Sequence, residues 1–167
     1  MKKTILLILS FVILLCCICF SGCNNQSNKS PSDQIKDEMI KAEEVKTALV
    51  EAGYSKAHTS SICVYLDSTE TDTIWVTNLY GDFLPDLDFK NERDDIPQIL
   101  DAVMPLYDKE YTQGDGKKII NRLKACRIIY DGEIHCGEIT FKNLKYHEFL
   151  DETNSFTDCI MVKKSET

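Results

Sequence analysis

The chain has 167 residues, of which 27 are acidic and 19 basic, and a formal charge of −8 at pH 7. An excess of acids repels the phosphates of nucleic acids and anionic lipid headgroups, so we exclude nucleic acid as a partner. The length suits one compact domain.

The first residues, MKKTILLILSFVILLCCICFSGCNN, have the pattern of a secretory signal. Lys2 and Lys3 precede an apolar run from Ile5 to Phe20, and small residues follow before Cys23. The run is about 16 residues, and a helix needs roughly 20 to cross a bilayer. The sequence therefore favours a cleaved signal; a signal cut elsewhere and a retained membrane helix are the alternatives.

The stretch FSGC, Phe20 to Cys23, resembles the lipobox of bacterial lipoproteins, although Phe20 stands where the usual residue is Leu. The resemblance covers only the signal. It implies a signal peptide over 1–22, with Cys23 lipidated (diacylglycerol, palmitate) and first in the mature chain. It also implies lipid anchoring on the extracytoplasmic face of the cell membrane, where two acyl chains give stable attachment.

A polar segment follows, and 23–32 is predicted to be the lipidated cysteine and a flexible spacer. Ser30, Pro31 and Asp33 then give a cap, a first-turn proline and an acid at a helix start. The pattern predicts a helix from Asp33 to Ala52. We expect its apolar stripe to pack on the core, because its polar face is too acidic for a helix that lies on a membrane. The stripe consists of Ile35, Met39, Ala42, Val45, Leu49 and Ala52.

The next segments alternate apolar and polar residues, which is typical of strands. SICVYLDS and DTIWVTNLY are predicted to form a hairpin, with a short edge strand at 83–89 after them. A second helix is predicted after Asp94 or Asp95, and a third, shorter one after Asp115, where the β-branched pair Ile119 and Ile120 would also suit a strand.

The last third reads as strands: CRIIY, EIHCGEITFKN, LKYHEFL and FTDCIMVKK. The sequence thus predicts an α+β fold, an N-terminal amphipathic helix and two shorter helices packed on a mostly antiparallel sheet. We expect one domain over 33–163 and a C-terminal tail over 164–167.

The sequence does not match the metal-binding or catalytic motifs that we considered. The acid-rich 86–95 segment lacks the glycine and ligand spacing of a helix-loop-helix calcium site, and a solvated loop explains it better. His58, His135 and His147 are scattered, without zinc-ligand spacing. No nucleophile elbow occurs. We expect no metal, no cofactor and no catalytic residue.

Eight cysteines are present, and setting aside the signal (Cys16, Cys17, Cys19) and the lipidated Cys23 leaves four, Cys63, Cys126, Cys136 and Cys159. Outside the cytoplasm an even count fits two disulfides, with three connectivities; four buried thiols are the alternative.

The stretch CRIIYDGEIHC decides how we rank those connectivities. A two-residue turn at Asp131-Gly132 would pair Arg127 with Cys136. A three-residue loop would instead pair Cys126 with Cys136 and sort Ile128 and Ile134 onto one buried face. We predict the latter, with a disulfide between Cys126 and Cys136 and, by elimination, one between Cys63 and Cys159.

The functional prediction is a membrane-anchored, non-catalytic binding or interaction module. Its partners would be the membrane, through the lipid, and an envelope protein or a small ligand. An exposed patch around Trp75, Leu79 and Tyr80 would mark such a module. The alternative is a small cell-envelope hydrolase, which requires a cleft with carboxylates or histidines of perturbed pKa.

Overall fold

The computed structural model describes residues 31–77, 84–90, 93–131, 133–149 and 158–165. The helices within these residues are α1 (Pro31–Glu51), α2 (Ile96–Val103) and α3 (Asp115–Cys126), and a 3-10 turn (Met104–Leu106) extends α2. With an antiparallel sheet beside them, the fold is α+β, and the predicted fold class is confirmed.

The strands within the described residues lie in two sheets. They are β1 (His58–Ser60), β2 (Cys63–Tyr65), β3 (Thr73–Trp75), β4 (Asp86–Phe89), β5 (Ile128–Tyr130), β6 (Glu133–His135), β7 (Glu138–Phe141), β8 (Leu144–Phe149) and β9 (Asp158–Lys164). The larger sheet has the order β1-β2-β3-β4-β9-β8-β7, with every neighbouring pair antiparallel, whereas β5 and β6 pair only with each other.

The helices form a layer over the larger sheet. α1 packs on β1 and β2, α3 packs on β7 and β8, and α2 contacts both α1 and α3. Beneath the helices, one row of cross-strand neighbours runs through the core: Val64, Ile74, Leu87 and Ile160, each fully buried. The fifth member of that row is Glu148, a carboxylate that is 1% exposed.

The first helix begins at Pro31, two residues before the predicted start, and Gly53 follows its end with φ +105. The predicted packing of its stripe holds only in part. Ala42, Val45 and Leu49 are fully buried, but Ile35 and Met39 are about half exposed and Ala52 is exposed. Ile35 and Met39 are exposed because a 21-residue helix rises about 31 Å and extends beyond the short strands that it packs on, whereas Ala52 follows the last helical residue.

The two shorter helices confirm their predicted starts. Asp95 occupies the position before α2, with a proline in the first turn. Gly114, at φ 89, precedes Asp115 at the start of α3. The pattern of three- and four-residue spacing therefore located both helices correctly.

The strand predictions are confirmed in part. β2 and β3 form the predicted hairpin, but β4 is not an edge strand, because it pairs with both β3 and β9. The acidic residues of β4 suggested an exposed edge position. Asp88 instead accepts a hydrogen bond from Trp75 Nε1 at 3.0 Å, which satisfies a carboxylate inside the sheet. β1 was not predicted, and β9 runs to Lys164, one residue into the predicted tail.

Candidate functional site

Asp115, at the start of α3, is the centre of the first carboxylate cluster. Its side chain is 1% exposed and accepts hydrogen bonds from Lys118 at 2.7 Å, from Lys142 in the turn between β7 and β8, and from the hydroxyl of Thr112 at 2.8 Å. The ammonium groups of Lys118 and Lys142 hold the pKa of Asp115 well below its usual range. The carboxylate is therefore charged at neutral pH, and it fastens a helix start to the sheet.

Asp101, on α2, organises the loop before α3. One oxygen accepts the amide of Gly116 at 2.9 Å and the hydroxyl of Tyr111 at 2.8 Å; the other accepts the amide of Gly114 at 2.8 Å. Burial, followed by the Asp101 hydrogen bond, raises the pKa of Tyr111. Nearby, the fully buried Tyr146 has a hydroxyl without a hydrogen-bond partner among the described residues.

Arg93 centres the third cluster. It donates to Asp95 through Nε at 2.8 Å and Nη2 at 2.7 Å, and through Nη1 to Asp72. Tyr54, just after α1, donates its hydroxyl to Asp95 at 3.0 Å. The Arg93 guanidinium keeps the pKa of Asp95 low. The cluster ties α1, α2 and the turn between β2 and β3 together.

A cleft of different character lies between the first turn of α2 and the outer side of α3. Its volume is about 320 Å³, and four of its lining side chains are basic: Arg93, Lys117, Lys124 and Arg127. Asp94 is the acid in its lining. In a chain with an excess of acids, this cleft gathers positive charge.

The segment of CRIIYDGEIHC that forms β5 and β6 projects from the domain as a separate two-stranded sheet, called here the isoleucine hairpin after Ile128, Ile129 and Ile134. These three side chains are 65%, 77% and 42% exposed. Successive side chains of a strand point to opposite faces, so Ile129 and its cross-strand neighbour Ile134 form an apolar patch on one face, and Ile128 is exposed on the other.

The predicted register of this hairpin is wrong. Ile128 pairs with His135 and Ile129 pairs with Ile134, as a two-residue turn at Asp131-Gly132 requires. Asp131 has a φ of 52, which the left-handed residues of such a turn need. The error came from assuming that one face is buried; because the hairpin does not pack on the core, the turn residues set its register.

The cysteine predictions change with the register. Cys126 ends α3 and lies against Gly137, where an added Cβ would stand 2.9 Å from Cys126 Cβ, so it does not face Cys136 across the hairpin. The structure carries Cys63, Cys126, Cys136 and Cys159 as thiols.

The predicted pair Cys63 and Cys159 is incompatible with the strand order. β3 and β4 lie between β2 and β9, which places the two residues about 14 Å apart across the sheet. A disulfide needs Cα atoms within about 7 Å. Elimination therefore chose a pair that this sheet cannot join.

The other predicted residues are dispersed. Trp75 is 40% exposed, whereas Leu79, Tyr80 and Cys23 lie outside the described residues. His58, His135 and His147 stand on three different strands, and within the described ranges no cluster of His, Cys, Asp and Glu could hold a metal ion. None of the helices in the same ranges combines the length and apolar character that crossing a bilayer requires.

Comparison with known proteins gives no match for this chain. No protein-family model matches it, and neither the curated proteins nor the solved structures give a significant match. Function has to be argued from the cleft, the hairpin and the N-terminal sequence.

Sequence reasoning did not single out Lys117 and Lys124. A signal was present: neither has an acid three or four residues away, whereas Lys41, Lys46 and Lys118 each pair with an acid three residues away. The spacing of charged residues in the sequence could therefore have shown that Lys117 and Lys124 lie on one helix face without acidic neighbours.

Proposed function

We propose that the protein is a lipid-anchored extracytoplasmic lipoprotein whose domain is a non-catalytic interaction module, and that the isoleucine hairpin is its contact surface for another protein. The exposure of Ile128, Ile129 and Ile134 carries this proposal. A two-stranded ribbon alone is marginally stable in water, so covering its aliphatic side chains with a partner would stabilise it as well as bind it.

Charge supports a protein as the occupant of the hairpin. Asp131 and Glu133, in and beside its turn, each carry a carboxylate, which opposes insertion into an anionic membrane. Removal of Lys2 and Lys3 with the signal leaves 17 basic and 27 acidic residues, a formal charge of −10, so two copies repel each other. A different protein with an apolar groove meets neither obstacle.

The carboxyl groups also favour binding over hydrolysis. A general acid needs a pKa raised towards neutrality. Five carboxyl groups have pKa values shifted downwards: Glu43, Asp67, Asp95, Asp108 and Asp115. Asp95 and Asp115 hold the ion pairs described above, Glu43 pairs with Lys46, and Asp67 and Asp108 accept backbone hydrogen bonds in turns. Turnover of a cell-wall or peptide substrate by the purified protein would overturn the non-catalytic assignment in favour of the hydrolase.

The anchor is tested through Cys23. Cells fed labelled palmitate should incorporate the label into the wild type, and Cys23→Ala should lose it and leave the membrane fraction. Cys17→Ala, within the predicted signal, is the matched control and should keep the label. Label retained by the Cys23→Ala protein would refute the lipoprotein assignment.

The hairpin is tested by photo-crosslinking in membranes. A photoreactive residue at position 129 should give one protein adduct of defined mass, which a second change, Ile134→Asp, removes. Val50, an aliphatic residue that is 43% exposed on α1, is the control position and should not give that adduct. Equal adducts from positions 129 and 50, or adducts only with lipid, would contradict a hairpin-specific protein contact.

A further inference from the structure

The basic cleft between α2 and α3 is a separate feature from the isoleucine hairpin. Its floor includes Ile96 and Ile120, which are buried at 3% and 7% exposure and belong to the core. Both helices that form its walls are fixed to each other, because the Gly116 and Gly114 amides are bonded to Asp101 of α2. The cleft is therefore held in shape without a ligand.

The two arginines of the cleft are already occupied. Arg127 donates both to Glu148 Oε2 and to Glu148 Oε1, and Arg93 is bonded to Asp95 and Asp72. Glu148 balances the charge of Arg127, and the two carboxylates on Arg93 exceed its single charge, so the arginines shape the wall but add no net attraction for anions. The positive charge that remains available to a ligand is that of the lysines.

Lys117 and Lys124 are exposed, and their side-chain ammonium groups have no ion-pair or hydrogen-bond partner among the described residues. Lys118, which neighbours Lys117, turns instead to Asp115 at 2.7 Å. Positions 117, 121 and 124 are four and three residues apart, so they share one face of α3. Asn121 lies between the two lysines along the helix, and the Cα atoms of these lysines are about 10.5 Å apart along the helix axis.

The opposite wall adds polar and acidic groups. Gln98 lines the cleft from the first turn of α2 and offers an amide, and Asp94 offers one carboxylate. Asp94 is the acid in the lining of the cleft, and the two ammonium groups outnumber it there, so anions are attracted to the α3 side of the cleft. Ammonium groups are point charges that suit phosphate oxygens, whereas the guanidinium forks that match a carboxylate are engaged here.

We propose that this cleft binds a small soluble molecule carrying one or two phosphate groups, through Lys117 and Lys124, with Asn121 and Gln98 as hydrogen-bonding groups. The volume of about 320 Å³ is at the lower end of the range for small-molecule sites. The site is independent of the hairpin and of the lipid anchor, so the failure of either does not affect it.

Calorimetry on the full chain in detergent tests the site. Inorganic pyrophosphate and glycerol 3-phosphate are titrated against sodium chloride of matched ionic strength. We expect saturable one-to-one binding of at least one of the two phosphates, and Lys117→Gln with Lys124→Gln should weaken it at least roughly tenfold, a loss of about 1.4 kcal/mol. Both lysines are exposed, and a circular dichroism spectrum checks that the double variant keeps its fold.

The matched control is Lys56→Gln with Lys109→Gln, which removes the same charge from exposed positions outside the cleft. It should bind within roughly twofold of the wild type, a difference of about 0.4 kcal/mol. The proposal fails if neither phosphate binds saturably, if the control loses as much affinity as the cleft variant, or if binding is seen only with phosphatidylglycerol vesicles and not with the soluble phosphates.

Discussion

Arg127, directly after α3, and Glu148, on β8, face each other as a doubly hydrogen-bonded ion pair, with Nε 2.8 Å from Oε2 and Nη2 2.7 Å from Oε1. Glu148 is 1% exposed and continues the apolar core row of the sheet. The arginine is therefore what allows a carboxylate to lie under the helices. The same arginine borders the basic cleft and leads into the isoleucine hairpin.

The first prediction concerns this pair. Arg127→Ala leaves Glu148 buried without its cation, and the free energy of unfolding should fall by about 3 to 5 kcal/mol. Replacing both residues, Arg127→Met with Glu148→Leu, should recover most of that loss, because no charge is then buried. Urea denaturation measures all three proteins.

Arg122→Ala is the control for the substitutions of Arg127 and Glu148. Arg122 is exposed on α3, 5.8 Å from the ring of Phe141, and its loss should cost about 1 kcal/mol or less. If Arg127→Ala cost no more than Arg122→Ala, Glu148 would not depend on Arg127 for its burial.

The second prediction concerns acid stability through Asp115. Its pKa is lowered in the folded state by Lys118 and Lys142. It therefore stabilises the fold above its unfolded pKa of about 3.9, and this stability is lost as the pH falls towards the folded pKa. Asp115→Asn should destabilise the protein by about 2 kcal/mol at pH 7 and should flatten the fall in stability below about pH 4.

Unfolding by urea between pH 7 and pH 2 measures this effect. Glu51→Gln, an exposed acid at the end of α1, is the control, and its profile should overlay that of the wild type. An Asp115→Asn profile that fell as steeply as the wild type would place the acid sensitivity elsewhere.

The third prediction compares two glycines at the start of α3. A Cβ at Gly116 would stand 2.2 Å from the carbonyl oxygen of Pro97, which is backbone and cannot turn away, whereas a Cβ at Gly114 meets nothing within 4 Å. Gly116→Ala should cost about 3 kcal/mol by forcing α2 and α3 apart. Gly114→Ala, at φ +89, should cost about 1 kcal/mol of backbone strain.

Thermal unfolding distinguishes the two cases. Because Gly116→Ala separates the helices that form the basic cleft, it should also weaken phosphate binding there. Equal changes in Tm for both variants would mean that α2 and α3 are not in contact at Gly116.

Local rules in the sequence predicted the helices well and the hairpin register badly. Proline and acids before an apolar stripe located α1 and α2 within two residues of their starts. These capping signals involve residues within one helical turn of each other, so they can be recognised directly from the sequence. The register of β5 and β6 failed because it rested on burial, and nothing in the local sequence shows that Ile128 and Ile129 stay outside the core.

Long-range pairing was the second limit of the sequence. The order β4-β9-β8 brings the last strand into the middle of the sheet, and no periodicity states which strands become neighbours. The wrong pairing of Cys63 with Cys159 arose because the sequence does not show the order of the strands in the sheet. The ion pair of Arg127 with Glu148 depends on the same unstated order, because β8 stands beside β9 in the sheet.

The fourth prediction compares two buried tyrosines. The hydroxyl of Tyr111 donates to Asp101 at 2.8 Å, so Tyr111→Phe should cost about 1 to 2 kcal/mol. The fully buried hydroxyl of Tyr146 has no partner among the described residues, so Tyr146→Phe should be neutral or stabilising by up to about 1 kcal/mol. A loss of stability in Tyr146→Phe equal to that in Tyr111→Phe would reveal a bound water at Tyr146.

The last prediction concerns the thiols of the native protein. Cys63 is 3% exposed, and burial raises its pKa to about 11, so little nucleophilic thiolate is present near neutral pH. Cys126 and Cys136 are only partly buried. Alkylation at pH 8 should therefore modify Cys126 and Cys136 at least roughly tenfold faster than Cys63.

Mass spectrometry of peptides from briefly alkylated, undenatured protein measures these rates, and the same digest without reductant tests for a disulfide. A peptide joining Cys126 to Cys136 would restore the bridge predicted from the sequence, whereas alkylation of both would rule it out. Ile62→Ala, beside Cys63 and packed against the core, should accelerate modification of Cys63 alone, because burial is what protects that thiol. An unchanged Cys63 rate in Ile62→Ala, with rapid labelling already in the wild type, would show that β2 opens to solvent in the native state.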